Sequence, residues 1–137
     1  MFIIEKLIAF VIGGTWLTFL IGSWHVSLTI LLVFMAIDFI TGIIKGAYTG
    51  KLRSSVGYKG ILRKGTIMLV IVFANMLDLL TGTGLPVFRT MIVFFYIGNE
   101  GLSIIENLGA IGVPVPAAIT KYIEQLSKEE LPTNRKD

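Results

Sequence analysis

The sequence predicts an all-α integral membrane protein with about four transmembrane helices and a C-terminal amphipathic helix. Of its 137 residues, 54% are hydrophobic and 15% are charged, and the mean hydropathy is +0.81. A soluble domain of this size keeps most residues near its surface and needs more polar side chains. The charges also leave long gaps, since residues 7–37 contain no Asp, Glu, Lys or Arg. Each gap can hold a membrane span of roughly 20 apolar residues.

The first uncharged stretch is long enough for two spans, because the segment 22–25 interrupts it. This segment reads Gly-Ser-Trp-His, in which Gly and Ser favour a turn and Trp and His suit the membrane–water interface. We therefore predict helices at about 7–23 and 26–45. A cleaved signal peptide is disfavoured because Glu5 and Lys6 leave the N-terminal flank neutral. If the first segment only lies in the interface, three spans remain.

Two more spans are predicted in the remaining charge-poor stretches, at about 66–81 and 89–109. The segment 81–86 between them has the composition of a turn, with two glycines and a proline. Glycines and prolines also follow the last span and end it. Residues 1–112 therefore form the predicted transmembrane domain.

The segment 113–137 is predicted to be cytoplasmic, with an amphipathic helix at about 117–130 and a disordered tail. Such a helix is too short and too charged to span a membrane. It can lie on the membrane surface or pack between subunits. Its apolar face consists of Ala118, Ile119, Tyr122, Ile123 and Leu126.

The connection between the second and third predicted spans is the most basic part of the chain. Its basic residues are Lys45, Lys51, Arg53, Lys59, Arg63 and Lys64. With four spans, this predicted loop and both termini share one side, which holds eleven of the twelve Lys and Arg residues. By the positive-inside rule, both termini face the cytoplasm, and the loop meets anionic lipid headgroups.

Three carboxylates, Asp38, Asp78 and Glu100, fall near the middle of predicted spans. A charge at the bilayer centre costs roughly 2.5 kcal/mol or more, so these groups face other helices or water, or are protonated. They can line a lumen or seam that opens on assembly. Alternatively, they are neutral carboxyls hydrogen-bonded between the helices of one closed bundle. We favour the first interpretation, because three such groups are hard to bury in so small a protein.

Polar stripes on two predicted helices are candidates for helix interfaces or a pore wall. Asn75 and Asp78 form a short stripe on the third helix, and in lipid such a stripe needs partners across an interface. On the second helix, the spacing of Gly42 and Gly46 suits close helix packing. The fourth helix has a longer stripe at helical spacing, namely Tyr96, Asn99, Glu100, Ser103, Glu106 and Asn107.

The composition argues against an enzyme, a metalloprotein and a nucleic-acid-binding protein. The chain has no cysteine and one histidine, which excludes thiolate sites and a metal site made of several histidines. No catalytic motif is present, and we expect no cofactor. A net charge of +3 without a groove-reading motif does not suit nucleic acid.

Three segments resemble the phage holin and toxin-secretion holin family, whose members come mainly from Gram-positive bacteria and their phages. The resemblance covers about residues 5–125. Gly101 stands where we expect a larger apolar residue, which could loosen the last membrane helix. The segments are Asp38-Phe-Ile-Thr-Gly-Ile-Ile-Lys-Gly, Gly57-Tyr-Lys-Gly-Ile-Leu-Arg-Lys-Gly65 and Tyr96-Ile-Gly-Asn-Glu-Gly-Leu-Ser-Ile-Ile-Glu-Asn-Leu108.

The resemblance implies a homo-oligomer of the bacterial cytoplasmic membrane that assembles into large lesions at a set time. These lesions release an endolysin, permit its action without direct contact, or export a toxin. On this hypothesis Asp38, Asp78, Glu100 and Glu106 become the wetted wall of the hole. Two alternatives stay open. An antiholin-like membrane subunit forms no hole alone and delays lysis, and a small ion channel passes ions but no protein.

Overall fold

The computed structural model describes residues 1–128, which form five α-helices and no strand. This confirms the all-α prediction. Residues 129–137, which include the predicted tail and the end of the predicted amphipathic helix, lie outside the described part. The helices are α1 (Phe2–Ile21), α2 (Val26–Thr49), α3 (Ser54–Thr81), α4 (Val87–Ala110) and α5 (Ala117–Ser127).

Helix α4 lies at the centre of the bundle, where it packs against α2, α3 and α5. Within residues 1–128, α1 packs along α3 and reaches α4 through the side chain of Arg89. Helices α2 and α3 approach each other little, although the turn 50–53 joins them directly. The apolar core consists of Ile21, Leu28, Leu31, Met35, Ile67, Ile71, Val93 and Ile97.

Among the described helices, α1, α2 and α3 are long and apolar enough to cross a membrane. These three match three of the four predicted spans. Helix α4 is 24 residues long, but it carries Arg89, Glu100 and Glu106 and is not among these three. Along α1 only Ile21 is buried, so a continuous apolar surface faces outwards, as suits a helix surrounded by lipid.

The prediction of a long basic loop is wrong over most of its length. Helix α2 continues to Thr49 and α3 begins at Ser54. The glycines that suggested a loop each cost a helix only about 1 kcal/mol, whereas a continued helix satisfies every backbone hydrogen bond. The chain turns at Gly50, whose φ of 70° lies in the left-handed region that favours glycine. The basic residues are divided among α2 (Lys45), the turn (Lys51, Arg53) and α3 (Lys59, Arg63, Lys64).

The predicted amphipathic helix exists as α5, and it packs on α4 of the same chain. Two glycines of α4 allow this approach. A Cβ at Gly98 would overlap the backbone of α5, and one at Gly101 would lie 2.8 Å from Cγ2 of Ile123. The expectation that Gly101 loosens the helix is therefore wrong. Helix α4 continues through this position, and the missing side chain makes room for Ile123.

Candidate functional site

A charged cluster at the centre of the bundle joins α2, α3 and α4. Lys64 of α3 donates hydrogen bonds to Oδ2 of Asp38 and to Oε2 of Glu100, each at 2.7 Å. The side chain of Glu100 is fully buried, and those of Asp38 and Lys64 are 13% and 17% exposed. Asp38 and Glu100 lie near the middle of their helices. These three residues form what we call the central charged cluster, at mid-length of the bundle.

The central charged cluster has two acidic groups and one ammonium group, so with all three ionised it carries an excess negative charge. Within residues 1–128, Oε1 of Glu100 is buried without a hydrogen-bond partner. A buried polar atom without a partner costs about 1–3 kcal/mol. The closed bundle therefore tolerates an imbalance that water would relieve if the helices separated.

Asn107 of α4 extends the polar contacts from the central charged cluster towards the turn 50–53. Its Nδ2 donates to Oδ1 of Asp38 at 3.0 Å, to the carbonyl oxygen of Asp38 at 3.2 Å and to Oγ1 of Thr41 at 3.0 Å. Gly42 faces this amide, since a Cβ there would lie 3.7 Å from it. Gly46 faces Leu52 of the turn, at 3.1 Å from the position of its Cβ, and not a helix.

A second group of polar contacts ties the end of α1 to α3 and α4. Asn75 of α3 donates through Nδ2 to the carbonyl oxygens of residues 19 and 20, each at 2.9 Å. Arg89 of α4 donates through Nη1 to the carbonyl oxygens of Ile21 at 3.0 Å and Ser23 at 2.7 Å. Carbonyl groups at a helix C-terminus lack partners within the helix, and a positive charge there is favourable. These contacts thus cap α1.

Asp78 of α3 caps the start of α4. Its carboxylate oxygens accept hydrogen bonds from the backbone N–H of Phe88 at 2.7 Å and of Arg89 at 2.9 Å. The residue before α4 is Pro86, which provides no side-chain cap, so the carboxylate of α3 fills that role. Because α3 ends at Thr81, Asp78 lies near one end of the bundle. The expectation that it sits at mid-span is wrong.

The longer polar stripe of α4 is divided between two environments. Glu100 is buried against Lys64 of α3 and Asn107 against Asp38 of α2, whereas Glu106 is exposed. Tyr96, Asn99 and Ser103 are half-buried, and Tyr96 makes an edge-to-face contact with the ring of Phe95.

The cations that complete these clusters were missed in the sequence. The predicted basic loop contains Lys64, and the predicted four-span topology leaves Arg89, the twelfth Lys or Arg residue, on the side opposite the termini. If the helical spacing of the third predicted span is continued towards the N-terminus, Lys64 falls within that helix. Arg89 lies just after a turn and close to Asp78 in sequence. This position indicates the contact between Asp78 and the start of α4.

Known proteins similar to this chain point to one family. A model of the bacteriophage holin family matches residues 15–128. A Clostridium perfringens protein named as an uncharacterized 14.9 kDa protein in the nagH 3′ region is 44% identical, over 85% of this chain and 89% of its own. The probable holin of Bacillus phage phi105 is 41% identical, over 80% of this chain and 81% of its own. No solved structure matches the chain.

Proposed function

Because the chain belongs to the bacteriophage holin family, we propose that it oligomerises in the bacterial cytoplasmic membrane and forms holes large enough for protein. These holes release an endolysin, or permit its action without direct contact. Family membership and the three apolar helices indicate a non-enzymatic membrane protein. Both termini face the cytoplasm in this proposal, and the partners of the chain are further copies of itself and membrane lipid.

The observation that carries the proposal is the central charged cluster. A water-filled hole needs a polar wall, and in a single chain the charged groups at mid-length are turned towards one another. Hole formation therefore requires α2, α3 and α4 to separate, so that these groups exchange protein contacts for water. We assign the fold described above to the closed, harmless form, and we place Asp38, Glu100 and the exposed Glu106 on the wall of the hole.

Buried ion pairs suit a helix bundle that must first stay closed and later open, because they add little net stability while they are complete. The attraction between buried opposite charges is largely cancelled by the cost of removing them from water, so their net contribution to stability is small. Removal of one partner is much more costly, at about 3–5 kcal/mol, because a charge stays buried and unpaired. The closed bundle is thus stable in lipid while complete, and water entering between the helices compensates the lost contacts.

The proposal is tested by induced expression in a bacterium, alone and with a cytoplasmic endolysin, while optical density and release of a folded reporter protein are followed. We expect abrupt lysis when the endolysin is present, and passage of the reporter across the inner membrane. Glu5→Leu, an exposed α1 position, is a control substitution that keeps both results. Expression and insertion without reporter release would contradict the proposal.

A small ion channel is the second candidate, favoured by charged side chains at mid-length of the bundle. A channel dissipates the membrane potential but retains the folded reporter, so the same experiment separates the two functions. An antiholin-like subunit is distinguished by co-expression with an active holin, whose lysis it delays.

A further inference from the structure

A cleft separates α2 from α3 at the end of the bundle where the turn 50–53 joins them. It encloses a cavity of about 200 Å³. Gly57 and Gly60 of α3 line this cavity, and a Cβ at either position would meet nothing within 4 Å. The cleft is therefore open because α3 carries no side chains at these positions. We call this space the α2–α3 cleft.

The mouth of the α2–α3 cleft is basic. Lys51 and Arg53 lie in the turn and are exposed, and neither forms an ion pair with any residue in the range 1–128. Helix α3 begins beside them without a side-chain cap, so its first N–H groups add a partial positive charge. Lys64 at the inner end is already engaged in the central charged cluster. The free positive charge is thus concentrated at the mouth.

The walls of the cleft lead towards the middle of the bundle and are apolar except at Asp38, Lys64 and Asn107, which are hydrogen-bonded to one another through Asp38. Phe39 and Lys64 line both the cleft and a neighbouring groove between α2 and α3, so the two spaces adjoin. The ammonium group of Lys64 is hydrogen-bonded within the central charged cluster, and the rest of the groove surface is apolar. Its other lining residues are Met35, Ala36, Ile61, Gly65 and Met68.

We propose that the α2–α3 cleft binds an anionic phospholipid, with its phosphate at Lys51 and Arg53 and an acyl chain along the adjoining groove. Charge complementarity at the mouth selects an anionic headgroup. The apolar groove fits the hydrocarbon part of a lipid and offers nothing to a free phosphate ion. A second copy of the chain is a poor occupant, because two equivalent basic turns would face each other. The inference does not depend on hole formation.

The test is native mass spectrometry of the full-length protein released from micelles that contain equal amounts of phosphatidylglycerol and phosphatidylcholine. We expect preferential retention of one phosphatidylglycerol molecule. The double variant Lys51→Gln/Arg53→Gln should reduce this preference by roughly fivefold for each basic residue removed. Lys59→Gln removes one positive charge from α3 outside the cleft lining, and the preference should survive.

A third variant tests the cleft without changing its charge. Gly60→Leu places a side chain in the open space, so phosphatidylglycerol retention should fall while helicity by circular dichroism stays unchanged. If this variant loses helicity, the double glutamine variant decides the question. Three results would overturn the proposal: equal retention of both lipids, equal loss of retention in Lys59→Gln, or displacement of the lipid by millimolar inorganic phosphate.

Discussion

Lys64 supplies the positive charge of the central charged cluster, where it faces both Asp38 and Glu100 at 2.7 Å. At the scale of single residues, the balance between the closed bundle and separated helices depends on this side chain. Removing it leaves two acidic groups buried together, whereas removing Glu100 leaves a matched pair of opposite charges. The two substitutions should therefore act in opposite directions.

Lys64→Met should destabilise the closed bundle and advance lysis. The variant keeps both acidic groups but loses their common cation, which costs about 3–5 kcal/mol for a buried ion pair broken on one side. Thermal unfolding in detergent measures the loss of stability, and the lysis time under identical induction measures the functional effect. Lys59→Met, at an exposed position of the same helix, should change stability by about 0.5 kcal/mol or less. Unchanged stability of Lys64→Met would contradict this role.

Glu100→Leu should abolish or strongly delay lysis without preventing membrane insertion. The substitution removes the unpartnered Oε1 and leaves Asp38 paired with Lys64, so the closed bundle becomes more stable while the wall of the hole loses a charge. Membrane fractionation measures insertion, and optical density measures lysis. Lysis at the normal time by an inserted Glu100→Leu protein would count against the proposed wall.

Asp38 and Glu100 were predictable from the sequence, because a carboxylate in an apolar stretch needs a partner wherever it lies. Their actual partner was not. Lys64 lies beyond the apolar part of α3, in a stretch whose glycines and basic residues have the composition of a loop. Pairing between side chains 26 and 36 residues apart depends on how the helices pack, which composition does not report.

At the scale of elements, α5 depends on two glycines of α4. A Cβ at Gly98 would lie 2.7 Å from the carbonyl carbon of Leu126, and the backbone cannot yield as a flexible side chain can. The amphipathic pattern predicted a surface or intersubunit helix because the segment is too short and too charged to span a membrane. Packing inside the chain is possible because Gly98 of α4 has no side chain. The sequence of α5 does not report this feature, since it belongs to another segment.

Gly98→Ala should release α5 from α4. The added methyl group overlaps the α5 backbone, so the helix shifts or detaches, and hydrogen exchange within Ala117–Ser127 should accelerate roughly tenfold or more for a cost of about 1.4 kcal/mol. Gly109→Ala is the matched substitution in α4, since a Cβ there meets nothing within 4 Å. Equal protection of α5 in wild type and Gly98→Ala would show that this close approach is unimportant.

Helix positions followed from the charge-poor stretches, but helix ends did not. The segment 22–25 was correctly identified as a break, since α1 ends at Ile21 and α2 begins at Val26. Between α2 and α3 the same reasoning failed, because glycine weakens a helix without forbidding it. The apolar part of α3 marks its membrane-spanning region, whereas its N-terminal extension is set by the compact turn at Gly50.

At the scale of the whole molecule, the central charged cluster of α2, α3 and α4 faces inwards and the apolar surface of α1 faces outwards. In a single chain of this form, the charged side chains at mid-length contact one another and offer little surface to a water-filled hole. The central claim is therefore that hole formation requires α2 and α4 to separate.

The measurement that tests this claim most directly is lysis by a protein in which α2 and α4 are covalently joined. The side chains of Thr41 and Asn107 are in contact across α2 and α4, with Oγ1 and Nδ2 3.0 Å apart, and the chain has no cysteine of its own. The double variant Thr41→Cys/Asn107→Cys therefore places two thiols at this contact, and loss of free thiols on oxidation verifies the disulfide. The single-cysteine variants control for the loss of each side chain. We predict that oxidation of the double variant with diamide blocks lysis and that reduction restores it. Lysis on schedule by the oxidised, cross-linked protein would contradict the claim that these helices separate.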